Sequence, residues 1–422
     1  MEGSGGFVDR RLADYVSLIT DSLASQDGSA FAAALAINAT NSYAETVSSC
    51  LDHTKDPARI LKQVDKHAPL GEMLLHHTRA MQCYHQNRYV DAYNSLEKSA
   101  NAFLQEYRNW ESTWAMEALH VIVYALRTVG EMADREMAMN GKAPDKLKGA
   151  GSFLMKVFGA IQGKGPKRVG ALYVTCQLFK IYFKLGTVHM CRSVIRSIDT
   201  SRFFDFEDFP AKDRVTYMYY TGRLEVFNDN VSAADRKLTY ALERCDPFKK
   251  ANIRMILKYL VPVRLALGVL PKESLLTKYN LSEYIDVVRA LKRGDVRLLR
   301  RALKANENNF FRSGVYLVLE KLESHVYRRL LRKMCIQYPK AAGSWPRPPS
   351  QDGGDPKSYE VARGGHGHGR GGMLHGNSDP QGTDERLLFA QEPSGGAEQA
   401  GPLPEARWAT TTVTATAKVR IY

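Results

Sequence analysis

Between Arg289 and Lys333 the chain places 13 Lys/Arg against 4 Asp/Glu, and their spacing sorts most of the cations into stripes. Arg297, Arg300, Arg301 and Lys304 follow one another at intervals of 3, 1 and 3, so on a helix they share one face, opposite Leu299 and Leu303. Arg289, Lys292 and Arg293 do the same on the helix before, and Arg328, Arg329, Arg332 and Lys333 form a third stripe. Like charges one turn apart cost roughly 0.2–0.5 kcal/mol per pair, a cost that a bound polyanion removes. The chemistry open to these residues is the binding of phosphates or carboxylates. A merely solvated face is the alternative.

The other chemistry-bearing residues fail geometric tests. Gly159 to Gly163 is one residue too short for a phosphate-binding GxxxxGK loop, Lys164 is followed by Gly165 rather than Ser or Thr, and no strand precedes it. His76 and His77 point about 100° apart on a helix and cannot both face one metal well, and His53 adds no set of ligands to them, so no metal site is expected. The Gly/His/Arg run from Gly364 to Gly372 reads as low-complexity linker. Phe179, Tyr182 and Phe183, and Tyr217, Tyr219 and Tyr220, could stack on bases, but helical spacing beside aliphatic residues favours a core role. No nucleophile–base pair or carboxylate pair can be assembled, so neither enzyme activity nor a cofactor is expected.

These stripes need helices to carry them, and helix signals dominate the chain before residue 400. Met73, His76, His77, Ala80 and Tyr84 precede a turn at Asn87–Arg88, after which Tyr89, Tyr93, Leu96, Ala100, Phe103 and Leu104 continue the 3-and-4 spacing. Further helix–turn–helix units pivot on Gly186, Asp229–Asn230, Gly268 and Gly294. Asn280 with Glu283 predicts a capping box, and Asp295 a side-chain cap on the stripe-bearing helix. Residues 140–150 and 159–170, rich in Gly, Lys and Pro, predict loops. The turns are unevenly spaced. The fold class is therefore all-α, an irregular α-solenoid of helical hairpins rather than an array of fixed period.

Charge and composition divide the chain. The net charge is +14, yet residues 334–422 hold 9 Lys/Arg and 9 Asp/Glu, so the whole excess lies in residues 1–333. That excess favours polyanionic partners. In residues 334–422, Gly and Pro number 14 and 9 while Leu, Ile, Val and Phe together number 10, too few for a core, so a disordered tail is expected. Val413 to Ile421 alternates like a strand, but one strand cannot stabilise itself. The most apolar stretch, Leu260 to Leu270, contains Pro262 and Arg264 and is too short to span a bilayer, so no membrane insertion is expected. The six cysteines lack CxxC spacing and read as reduced core thiols. The expected organisation is an N-terminal helical region (1–70), a helical-repeat region (71–213), a basic helical domain (214–333) and the tail (334–422).

An ordered series of motifs resembles a known family. Cys176 to Lys184, Arg214 to Tyr217, Tyr219 to Arg223, Arg254 to Leu257, Tyr259 to Val263, Phe310 to Arg312 and Leu319 to Leu322 are similar to the PCI-domain-containing protein 2 family. The resemblance covers about residues 70–333. It implies PCI-type helical repeats ending in a winged helix. It also implies a role as a non-enzymatic scaffold subunit of a nuclear mRNA export complex that couples transcription to the nuclear pore. Implied partners are a large PCI-containing scaffold protein, a small acidic protein and RNA; the implied location is the nucleus and its pores, with the cytoplasm also compatible. PCI subunits of the proteasome lid or of a signalosome-like assembly are built alike and form the alternative. After Lys333 the sequence departs from the family pattern, with no recognition helix or wing hairpin visible, so the winged helix is expected to be missing or replaced.

Overall fold

The computed structural model describes residues 3–37, 68–163, 165–199 and 206–337. All regular structure among them is helical. The chain forms two compact units that divide between Lys249 and Lys250.

The first unit runs α1 (Gly3–Ala24), α2 (Gly28–Ala34), α3 (Ala68–His85), α4 (Tyr89–Asn109), α5 (Met116–Met139), α6 (Lys146–Ile161), α7 (Ala171–Leu185), α8 (Cys191–Asp199), α9 (Ala211–Phe227) and α10 (Val231–Arg244). Successive helices pack on one another, α3 on α4, α4 on α5, α5 on α6, α6 on α7 and α9 on α10, while α2 lies against α5. The turns are made as the sequence indicates. Asn87, Asp229 and Gly186 adopt left-handed φ of 57°, 60° and 73°, and Asn230 caps α10 by accepting from the Ala233 N–H. The apolar spacing of α4 sends Tyr93, Leu96, Ala100 and Phe103 to full or nearly full burial, each large side chain contributing about 1.5–3 kcal/mol. Phe31, Phe103, Tyr107, Trp110 and Trp114 join into an aromatic cluster with ring centroids 4.8–6.3 Å apart.

Two segments expected as loops are partly helical, because α6 spans Lys146–Ile161 and a 3₁₀ turn follows at Pro166–Gly170. The reason is tertiary. The Asp134 carboxylate on α5 accepts from the Lys146 and Leu147 N–H groups at 2.8 and 3.2 Å, so a cap from another helix starts α6. The glycines allow close approach: a Cβ on Gly149 would stand 2.8 Å from the Tyr93 hydroxyl. Of the aromatic clusters, Phe179, Tyr182, Tyr217 and Tyr219 are buried, and Phe179 stacks on Tyr217 at 5.8 Å, so they are core.

The second unit runs α11 (Lys250–Ala266), α12 (Glu273–Lys278), α13 (Ile285–Arg293), α14 (Val296–Ala305), α15 (Glu307–Ser313), α16 (Tyr316–Glu320) and α17 (Glu323–Gln337). Its core gathers Leu257, Leu260, Leu281, Tyr284, Val288, Leu299, Phe310, Leu319 and Val326. Tyr284 stacks on Phe310 at 5.5 Å and its hydroxyl donates to the Lys258 carbonyl at 2.8 Å. That placement overrides the capping box expected at Asn280 and Glu283. Asn280 instead turns to φ 51°, Leu281 is fully buried, and a 3₁₀ turn at Ser282–Tyr284 leads into α13. Met334–Gln337 continue α17 beyond Lys333. The stretch where the resemblance would put a recognition helix and wing, residues 338–422, lies outside the described residues, as do the strand-like segment Val413 to Ile421 and His53.

Candidate nucleic-acid interface

Three packed helices carry the basic stripes: α13 lies on α14, and α17 packs against both. Gly294, at φ 73°, ends α13, and the Asp295 carboxylate accepts from the Leu298 N–H at 2.9 Å to start α14. The turn sits tightly under α17, since a Cβ on Gly294 would stand 3.0 Å from the Leu330 nitrogen. On α14, Leu299, Ala302 and Leu303 are buried and Arg297, Arg300, Arg301 and Lys304 are exposed, so the opposition of apolar and basic faces read from spacing is present.

The cations differ in what holds them. Arg289 pairs with Glu273 on α12 at 3.1 Å and with Asp286 at 3.4 Å, and its hydrogen bonds hold the Glu273 carboxyl below its ordinary range. Arg300 reaches Glu323 on α17 at 2.5 Å and the Tyr327 hydroxyl at 3.5 Å. Lys333 donates to the Arg293 carbonyl at 2.8 Å, at the C-terminus of α13, where the helix dipole favours a cation. Lys292 and Arg293 share that last turn. Arg289, Arg300 and Lys333 therefore tie helices together. Arg297, Arg301, Lys304, Arg328, Arg329 and Arg332 are exposed, and among the described residues none of them has an ion-pair partner. With Lys292 and Arg293, which are likewise exposed and without an ion-pair partner among the described residues, these six form the surface open to an anionic ligand.

Elsewhere burial perturbs several titratable groups. Glu131 on α5 accepts from Arg127 at 2.5 Å and from Lys184 on α7 at 2.6 Å, and Arg127 also donates to Gln177 at 2.8 Å. Burial would raise the Glu131 pKa, but the two cations outweigh it and hold the carboxyl below its ordinary value. Burial pushes His77 down to about 4 and His120 down to about 3, which keeps both neutral. It pushes Asp213 up to about 6 and Lys180 down to about 8. Among the described residues no three His, Cys, Asp or Glu side chains converge as a metal site. No helix among them is long and apolar enough to cross a membrane.

Spacing missed two features. The cross-helix partners of Arg289, Arg300 and Lys333 lie 16, 23 and 40 residues away and leave no local signal. The second is an exposed apolar stripe on α17, where Tyr327, Leu331 and Met334 are 43%, 55% and 49% exposed. Its 4-and-3 spacing was visible, but only once the helix is known to run past Lys333.

Fold and surface together define an all-α helical-repeat protein with a basic face on its second unit. No protein-family model matches the chain. It is 56% identical over 333 residues to Enhanced ethylene response protein 5 of Arabidopsis thaliana, covering 79% of this chain and 81% of that relative. To PCI domain-containing protein 2 of Xenopus laevis it is 35% identical over 277 residues, 64% of this chain and 69% of the relative. A Protein CSN12 homolog of Mycosarcoma maydis is 30% identical over 275 residues, covering 59% of this chain and 60% of the relative. The chain belongs to the PCI domain-containing protein 2 family.

Proposed function

We propose that this protein is a non-enzymatic scaffold subunit of a nuclear mRNA export complex coupling transcription to the nuclear pore. In this reading it binds a large PCI-containing scaffold protein, a small acidic protein and RNA. Family membership supports the scaffold role. The observation that carries the RNA contact is the set of exposed cations without partners on α14 and α17: Arg297, Arg301, Lys304, Arg328, Arg329 and Arg332. Stacked helices bury their apolar faces against one another and leave charged faces for partner chains and phosphates, which is presentation rather than chemistry. The +14 charge confined to residues 1–333 suits the acidic partner as well.

Affinity purification of the full chain from nuclear extract tests the assembly. The expected co-purifying proteins are a PCI-containing export scaffold, a small acidic protein and pore components. Recovery of proteasome-lid or signalosome subunits in their place would overturn the export reading in favour of the alternative.

A further inference from the structure

The last described helix leaves an apolar stripe uncovered. Along α17 only Val326 is fully buried, while Tyr327, Leu331 and Met334 line one side at 43%, 55% and 49% exposure, with Cys335 exposed beside them. Arg328 and Arg332 run along one side of the stripe without ion-pair partners among the described residues. An occupant should therefore bring adjacent large apolar side chains with acids beside them.

The chain carries one such segment after Gln337. Leu387, Leu388 and Phe389 are the only three successive large apolar residues in 338–422, and Asp384, Glu385 and Glu392 bracket them against the single base Arg386. The competing segment near the end, residues 405–422, sets Arg407, Lys418 and Arg420 against Glu405 alone and would be repelled by the same surface. Reach is no obstacle. Residues 338–383 can span up to about 150 Å, against a helix roughly 22 Å long.

We propose that residues 384–392 dock in cis on the Tyr327–Leu331–Met334 stripe of α17, with the three acids paired to Arg328, Arg332 and their neighbours. Docking there covers the Cys335 thiol and places acidic groups over part of the basic surface, which makes the segment a competitor for anionic ligands at α17.

Cys335 reports directly. Cys83, Cys176, Cys191 and Cys245 are buried, so a Cys50→Ser background leaves Cys335 as the fast-reacting thiol. The measurement is the rate of maleimide labelling of the purified full chain, without nucleic acid, against Leu387→Asp/Leu388→Asp/Phe389→Asp in the same background. Docking in about nine-tenths of molecules slows labelling roughly tenfold, and the triple substitution restores the fast rate. A synthetic peptide of residues 380–396 should slow the triple variant again, and Leu331→Asp should abolish that effect. Circular dichroism checks that each variant keeps its helix content. Equal rates in the full chain and the triple variant would overturn cis docking. So would protection that grows with protein concentration, which would assign the stripe to a second copy of the chain.

Discussion

Asp213 is a carboxyl whose ionisation the fold opposes. It lies in the first turn of α9, 5% exposed, with one carboxylate oxygen lacking a hydrogen-bond partner. Burial raises its pKa from 3.8 to about 6, only partly offset by Lys212 and Lys180. The folded state therefore holds the proton more tightly than the unfolded chain. The Asp213 contribution to stability is greatest below the unfolded value of 3.8 and is lost as pH rises through about 6, after which the cost is constant. Asp213→Asn removes that cost. It should stabilise the protein by about 3 kcal/mol at pH 8, change little at pH 4, and remove the Asp213 contribution to the slope between the two. Chemical denaturation at both pH values checks this, and a variant equally destabilised at each would mean that the amide cannot be accommodated. Nothing in the sequence marks Asp213: it sits among Lys212 and Arg214 like a surface acid, and only the packing of α7 against α9 buries it. The basic residues show the converse. Leu299 and Leu303 set which way Arg297, Arg301 and Lys304 face, so spacing alone places those three, whereas the ties of Arg300 to Glu323 and Lys333 to Arg293 depend on where α17 lies.

At the scale of elements, the α13–α14 turn does two jobs. Gly294 takes a left-handed φ of 73° that residues with a Cβ adopt at a cost, and its α-carbon faces the Arg329–Leu330 backbone of α17 closely enough that a Cβ would stand 3.0 Å from nitrogen. Gly294→Ala should therefore combine backbone strain with a push against main chain that cannot rotate away, at about 1–3 kcal/mol. Thermal unfolding measures the loss, and an unchanged melting temperature would refute the tight turn. Such turns are legible in sequence because the requirement is local: Gly186, Gly294 and Asp295 each do what their residue type permits. Long-range elements are less so. The start of α6 comes from Asp134 on another helix, which glycine-rich sequence at 140–150 cannot reveal. Asn280 and Glu283 match a capping pattern, yet burial of Leu281 and Tyr284 outweighs a cap worth roughly 1 kcal/mol.

At the scale of the whole molecule, the proposed RNA contact has a quantitative signature. If Arg297, Arg301, Lys304, Arg328, Arg329 and Arg332 each meet a phosphate of single-stranded RNA, six contacts give a log–log salt slope of about −4, at roughly −0.7 per contact. Between 50 and 200 mM salt the affinity should then fall about 300-fold. Replacing Arg297, Arg301 and Lys304 by Ala should bring the slope to about −2 and the loss to about 20-fold, weakening all sequences alike because phosphates carry no base identity. Stability should hold, since these side chains are exposed and make no ion pair among the described residues. Arg300→Ala is the informative contrast: its guanidinium is engaged by Glu323 and Tyr327, so it should alter the slope less than Arg301→Ala. The measurement belongs in the complex with the proposed PCI-containing partner. A slope unchanged in the triple variant would return α14 to a solvated face, leaving the scaffold role to stand on partner binding alone.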